Sequence, residues 1–168
     1  MPVSDQGVAD ARYTLVPRVL IFVRRGTSVL LLKGAPDKRL WAGRYNGLGG
    51  HVEAGEDLLS AARRELAEEA GLEADLRLCG TVLVDTGQTP GVGLFVFAGE
   101  WLRGEPRPSA EGRLEWVEVS AVPSLPSVED VPALLEAVCR QRPGDPPFSA
   151  RSFYDADGRL QIVFAMPG

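Results

Sequence analysis

The sequence predicts one α+β domain in which a mixed sheet is covered by two helices. Three observations predict it. The chain has 168 residues, a length that suits one domain with one substantial core. Runs rich in β-branched and aromatic residues recur along it, and some lie close enough to pair as hairpins. Two stretches, one opening at Glu56 and one over Ser127–Gln141, carry helical spacing and helix punctuation.

Taken in order, residues 1–12 are polar and read as a loose lead-in to a single domain spanning 1–168. Leu15 to Arg25 and Ser28 to Gly34 read as strands about a Gly26-Thr27 turn. The segment from Ala35 to Gly50 is dense in glycine and carries Pro36, so it reads as loop, with a short extended His51-Val52-Glu53 after it. The first helix opens at Glu56-Asp57, with acids in its first turn as the helix dipole favours. Leu59, Ala62, Leu66 and Ala70 step by three or four and form its buried stripe, and Gly71 suits its C-terminal cap. Strands follow at Leu76 to Val84, Gly93 to Trp101 and Leu114 to Val119. The second helix, Ser127–Gln141, is broken by Pro143 to Pro147, and the tail reads as two extended segments about an Asp-Ala-Asp-Gly turn.

Composition excludes several classes. A net charge of -5, from 18 basic and 23 acidic residues, argues against a polynucleotide track. No apolar run reaches the length of a membrane span, and the first residues lack a basic-then-apolar signal pattern. The expectation is a cytoplasmic protein with no membrane partner, monomeric or homodimeric. Cys79 and Cys139 are far apart and in no metal-like spacing, which fits thiols in a reducing compartment. Arginine greatly outnumbers lysine, a bias expected of a GC-rich bacterial genome.

The stretch Gly49 to Leu72 concentrates the chemistry. Glu65, Glu68 and Glu69 lie three or four residues apart on one face of the first helix, beside the apolar stripe. Like charges at that spacing cost a helix a few tenths of a kcal/mol each, so something positive is expected to compensate. A hard divalent cation with oxygen ligands is the natural candidate, and Gly49-Gly50 lets backbone approach such a site. Bound metal would also let this acidic surface accept a phosphorylated small molecule.

Gly50, five residues, Glu56, seven residues and then Arg64-Glu65-Leu66-Ala67-Glu68-Glu69-Ala70-Gly71-Leu72 resembles the Nudix box at every defined position. The resemblance implies a Nudix fold, an α/β/α sandwich with a mixed curved sheet and two main helices. It implies a hydrolase of nucleoside diphosphates linked to another group, dependent on Mg²⁺ or Mn²⁺. It also implies the metal ligands: the Gly49 carbonyl with Glu65 and Glu69, joined by Glu68. Arg64 would pair with Glu56 and hold loop and helix together. The general base is left between Glu65 or Glu68 on the helix and a loop acid, Glu111, with Glu100 as the next choice.

The segment before the box is similar to that of the MutT-like, oxidised-purine branch, in which Asn46 matches a base-contacting asparagine. Its amide both donates and accepts, so it can read a purine edge; a turn role in Tyr-Asn-Gly is the alternative. Glu129 and Asp130 sit where that branch carries a base-recognising acidic pair; helix capping is the alternative. The tail from Phe148 to Gly158 is also similar to that branch. Trp41 and Tyr45 flank the pocket loop and are candidates for base contact. Lys33 and Lys38 are candidates for phosphate contact from the rim, as are Arg44 and His51. The expected activity is a nucleoside triphosphate pyrophosphohydrolase, releasing nucleoside monophosphate and pyrophosphate, with 8-oxo-dGTP as a candidate target. ADP-ribose hydrolysis, or hydrolysis of another nucleoside diphosphate linked to a further group, is the alternative; Pro90 lies slightly late for the ADP-ribose pattern. A non-catalytic nucleotide-binding module and a cysteine-dependent diphosphate isomerase are rivals from other classes.

Overall fold

The computed structural model describes residues 12–37, 41–107 and 111–165. The lead-in up to residue 11 and Lys38 lie outside the described residues. The order is β1 (Leu15–Arg25), β2 (Ser28–Gly34), β3 (Tyr45–Asn46), α1 (Leu58–Ala70), β4 (Glu73–Asp85), β5 (Gly91–Arg103), β6 (Gly112–Glu118), α2 (Val131–Arg140), β7 (Phe148–Tyr154) and β8 (Leu160–Phe164). A 3-10 turn, Val119–Ser124, links β6 toward α2.

The strands form one mixed eight-stranded sheet in the order β3-β2-β1-β5-β4-β7-β8, with β6 also on β2. The β1–β2 hairpin pairs only at its tip, Arg24 with Val29 and Arg25 with Ser28. Beyond the tip β1 lies parallel to β5, from Leu15 beside Gly91 to Arg24 beside Glu100. β2 instead runs antiparallel to β6 over its whole length. The wedge between the diverging strands is filled by residues 45–51. β3 pairs with β2, while the Ile21 amide donates to the Leu48 carbonyl at 2.7 Å and the Val19 amide to the Gly50 carbonyl at 2.9 Å. The glycine-rich loop is thereby stitched to the central strand, which fixes the ground on which the site is built.

Alternation along β1 feeds two cores. Val19, Ile21 and Val23 pack with Ala62 and Leu66 of α1, and Leu20 and Phe22 pack with Leu134 and Leu135 of α2. Each large side chain removed from water contributes about 1.5–3 kcal/mol. The layers are helix, sheet, helix, as expected. The described helices include none long and apolar enough to cross a membrane.

Boundaries differ where local bonding outweighs pattern. α1 starts at Leu58: Asp57 is its N-cap, accepting from the Leu59 and Ser60 amides at 2.9 Å, and no acid occupies the first turn. Glu56 is left in the preceding loop. Gly71 is the cap at φ 65°, its amide donating to the Ala67 carbonyl. α2 starts at Val131, later than expected. The Val128 amide donates to the Tyr45 carbonyl, and the Tyr45 amide to that of Pro126, which holds the preceding segment extended against β3. β3 itself and the 3-10 turn carry no sequence pattern long enough to announce them.

Candidate active site

Arg64 organises the acidic face. Its Nε and Nη2 donate to the two Glu56 oxygens at 2.7 and 3.0 Å, a bidentate pair across the loop–helix junction. Nη2 also donates to the His51 carbonyl at 3.0 Å, and Nη1 to Glu65 at 2.9 Å and Glu68 at 3.3 Å. The guanidinium holds the Glu56 carboxyl below its ordinary range, helped by the Glu53 amide, while Glu56 and Glu65 push the Arg64 value up. Part of the compensation expected for the clustered acids is therefore Arg64 itself.

Glu65 and Glu69 both reach the glycine pair from successive turns of α1. The Gly49 amide donates to Glu69 Oε2 at 2.9 Å. The Glu65 carboxylate fills the space a side chain at Gly50 would take, with Cδ 2.6 Å from the position of such a Cβ. Gly49 has φ 137° and packs on the Val19 backbone, so it needs glycine for conformation and for space. The Gly50 carbonyl is taken by Val19, whereas among the described residues no donor reaches the Gly49 carbonyl. Two carboxylates thus reach the glycine pair, and with the Gly49 carbonyl they would make a donor set suited to a hard divalent cation. Glu68 stands apart, 62% exposed beside Arg64. Among the described residues no three acidic, histidine or cysteine side chains form a ready-made metal cluster.

A cleft of about 480 Å³ runs from this cradle over the sheet. Gly49, Gly50 and Glu69 line it, as do Glu111, Asn46, Asp130 and Trp41. Asn46 accepts from the Gly47 amide at 2.8 Å, the expected turn bond, and also borders the cleft. The acidic pair divides. Asp130 is buried, makes no side-chain capping bond, and has its carboxyl pushed up by burial and then by the nearby Glu129 charge. Glu129 lies half-exposed, 3.9 Å from Arg44. Trp41 holds φ 63°, rare for a bulky residue, and its carbonyl occupies the space of a side chain at Gly34.

Other candidates fall elsewhere. Tyr45 is buried in the α2-side core and donates to Glu115 at 2.8 Å. Lys33 sits over the Tyr45 ring at 5.2 Å, and neither borders the cleft. The pleat of β3 turns Tyr45 inward and leaves Asn46 outward. Glu100 is 3.9 Å from Arg24, away from the cradle. Cys79 is buried and Cys139 packs against the same core; neither lines the cleft. Sequence reasoning missed Arg18, which lines the cleft from β1 opposite His51. The available signal was a single charge interrupting an apolar strand.

The sequence model of the NUDIX domain matches residues 14–138. The chain belongs to the Nudix family. Its members hydrolyse pyrophosphate bonds of nucleotides and generally use a divalent metal. Among curated relatives, an oxidized purine nucleoside triphosphate hydrolase of Danio rerio is 37% identical over 106 residues, covering 62% of this chain and 67% of its own. A putative 8-oxo-dGTP diphosphatase 2 of Mycobacterium tuberculosis is 39% identical over 110 residues, 65% of this chain and 75% of its own. An NAD-capped RNA hydrolase NudC of Pseudomonas aeruginosa is 32% identical over 120 residues, but only 41% of its length is covered. Among solved structures, a mutator MutT protein from Bacillus halodurans superposes with a TM-score of 0.76 at 27% identity, over 89% of this chain and 97% of that one.

Proposed function

We propose that this Nudix hydrolase is a Mg²⁺-dependent nucleoside triphosphate pyrophosphohydrolase, releasing nucleoside monophosphate and pyrophosphate. Oxidised purine nucleotides such as 8-oxo-dGTP are its preferred class. The observation that carries the reading is the cleft itself, which is lined both by Gly49, Gly50 and Glu69 of the cradle and by Asn46 and Asp130. A phosphate chain suits the first and a purine edge the second. Relatives named for oxidised purine triphosphates support the same assignment.

Glu65, Glu69 and the Gly49 carbonyl would hold the cation, with Mn²⁺ as a substitute. When bound, it supplies charge neutralisation on the phosphate chain and acidifies water. Arg64 keeps Glu65 aimed at Gly50 and ties the helix to the loop through Glu56. Glu111 borders the cleft and accepts the proton of the attacking water, the role that Glu100 is too remote to fill. Asn46 and Asp130 orient the base. A carboxyl pushed up by burial is neutral more readily than an exposed one, and the neutral acid both donates and accepts, which suits a purine edge.

A substrate panel in Mg²⁺ tests the reading. The expected order places 8-oxo-dGTP or another purine triphosphate first in kcat/KM. Faster cleavage of ADP-ribose or of a dinucleotide overturns the substrate assignment, and tight nucleotide binding without product release would make the protein a binding module.

A further inference from the structure

The match to the NUDIX domain ends at residue 138, yet the cleft does not. β7 and β8 lie beyond that point and continue the sheet. β7 runs parallel to β4, from Gly80 beside Phe148 to Asp85 beside Phe153, and β8 returns antiparallel along β7. Ala150, Ser152 and Tyr154 share one face of β7, and Ala150 is buried in the core beneath α2. The same face also carries Tyr154, which forms wall of the cleft together with its cross-strand partner Leu160 and with Val84 and Thr86.

Tyr154 is 48% exposed, although it sits in a strand with apolar neighbours available. Its position is nevertheless held firmly. The Asp155 carboxylate accepts from the Asp157 amide at 3.0 Å, the Arg159 amide at 2.9 Å and the Gln161 side chain at 2.7 Å. The Asp155 amide in turn donates to the Arg159 carbonyl at 2.9 Å. A turn with this many bonds does not serve to hide the ring; it presents it. A rigid aromatic face at low entropic cost is what a planar ligand group needs.

We propose that Tyr154, carried by the β7–β8 hairpin, is the outer wall of the base site and stacks on the purine whose edge meets Asn46 and Asp130. The assignment rests on the nucleotide reading above. Leu160 backs the ring from the neighbouring strand. The hairpin is in this view a specificity element beside the hydrolytic cradle, acting on the base and not on the phosphates.

The test compares a substrate that has a base with one that lacks it. Wild type, Tyr154→Ala, Tyr154→Phe and Tyr154→Leu are assayed on the best nucleotide of the panel and on deoxyribose 5-triphosphate. Tyr154→Ala should raise KM for the nucleotide about tenfold with kcat within about twofold, the scale of one aromatic stack. Tyr154→Phe should behave as wild type and Tyr154→Leu should fall between. KM for the baseless triphosphate should not move. Equal penalties on both substrates, or a Tyr154→Phe enzyme as impaired as Tyr154→Ala, overturns the assignment. If Tyr154→Ala does not fold, the Phe and Leu variants decide it by the same ratio. Failure of the triphosphate reading appears instead in the wild-type panel, and the base-against-baseless comparison then runs on whichever nucleotide is cleaved.

Discussion

Gly50→Ala separates the cradle's chemistry from its folding. Gly50 lies outside the left-handed region, so alanine fits its backbone. The added Cβ would come within 2.6 Å of Glu65 Cδ and 2.7 Å of Oε2, whereas ordinary contact begins near 3.4 Å. The nearest carboxylate oxygen must therefore retreat by about 1 Å, a displacement of the size that costs about 10²-fold in rate when it misplaces a catalytic group. Folding should barely notice. The obstructing atoms end a flexible side chain, and replacing glycine at a permitted φ restrains the unfolded chain by about 0.4–1 kcal/mol in favour of the native state. Net stability should stay within about 1 kcal/mol, a Tm change of about 2–4 °C at this size. Gly49→Ala is the contrasting control: φ 137° and overlap with the Val19 backbone should cost more than about 3 kcal/mol. Steady-state kinetics with calorimetry on both variants reads the two effects. A Gly50→Ala enzyme with undiminished kcat would refute the placement of Glu65 in the cradle.

Three further outcomes follow from the geometry. Glu69→Gln should lower kcat by about 10²–10³-fold with Tm held, by the usual scale for removing a preorganised electrostatic contact, and single-turnover assays would reveal it. Asp130 has a raised folded value, so its stabilising state is the protonated one. That stability is complete below the ordinary aspartate value of about 3.9 and is lost as pH rises through the folded value. Asp130→Asn should thus raise Tm at pH 7 more than at pH 3.5 in calorimetric scans. Glu56 has a lowered folded value, so its contribution is present above the ordinary glutamate value and is lost as pH falls through the folded one. Glu56→Gln should flatten the acid limb of Tm against pH, and an unchanged limb would remove the Arg64 pair from the account.

How much of this could be read from the chain depends on the range of the interaction. The box helix was legible because its information is local: Leu66 and Ala70 step with the helix, Gly71 ends it, and the acids share a face by spacing alone. β1 was legible as a strand but not as the parallel neighbour of β5, because that register is set by contacts far along the chain. The same limit governed the cleft. Tyr45 and Lys33 flank the pocket loop in sequence, but only the pairing of β3 with β2 shows which way each turns. Asp130 read more readily as a cap than as a ligand group, and only the structure shows that its side chain makes no capping bond and is buried. Arg18 and Tyr154 come to the cleft through strand register, for which no short motif exists.

The central claim is that this cleft cleaves a nucleoside triphosphate to monophosphate and pyrophosphate at the Gly49–Glu69 cradle. It is tested most directly by quantifying pyrophosphate and orthophosphate released from 8-oxo-dGTP in Mg²⁺ by wild type and by Glu69→Gln. The account predicts one pyrophosphate per monophosphate from the wild type and near-complete loss of both products in a folded Glu69→Gln protein. Release of orthophosphate as the first product, or undiminished pyrophosphate from Glu69→Gln, would contradict it.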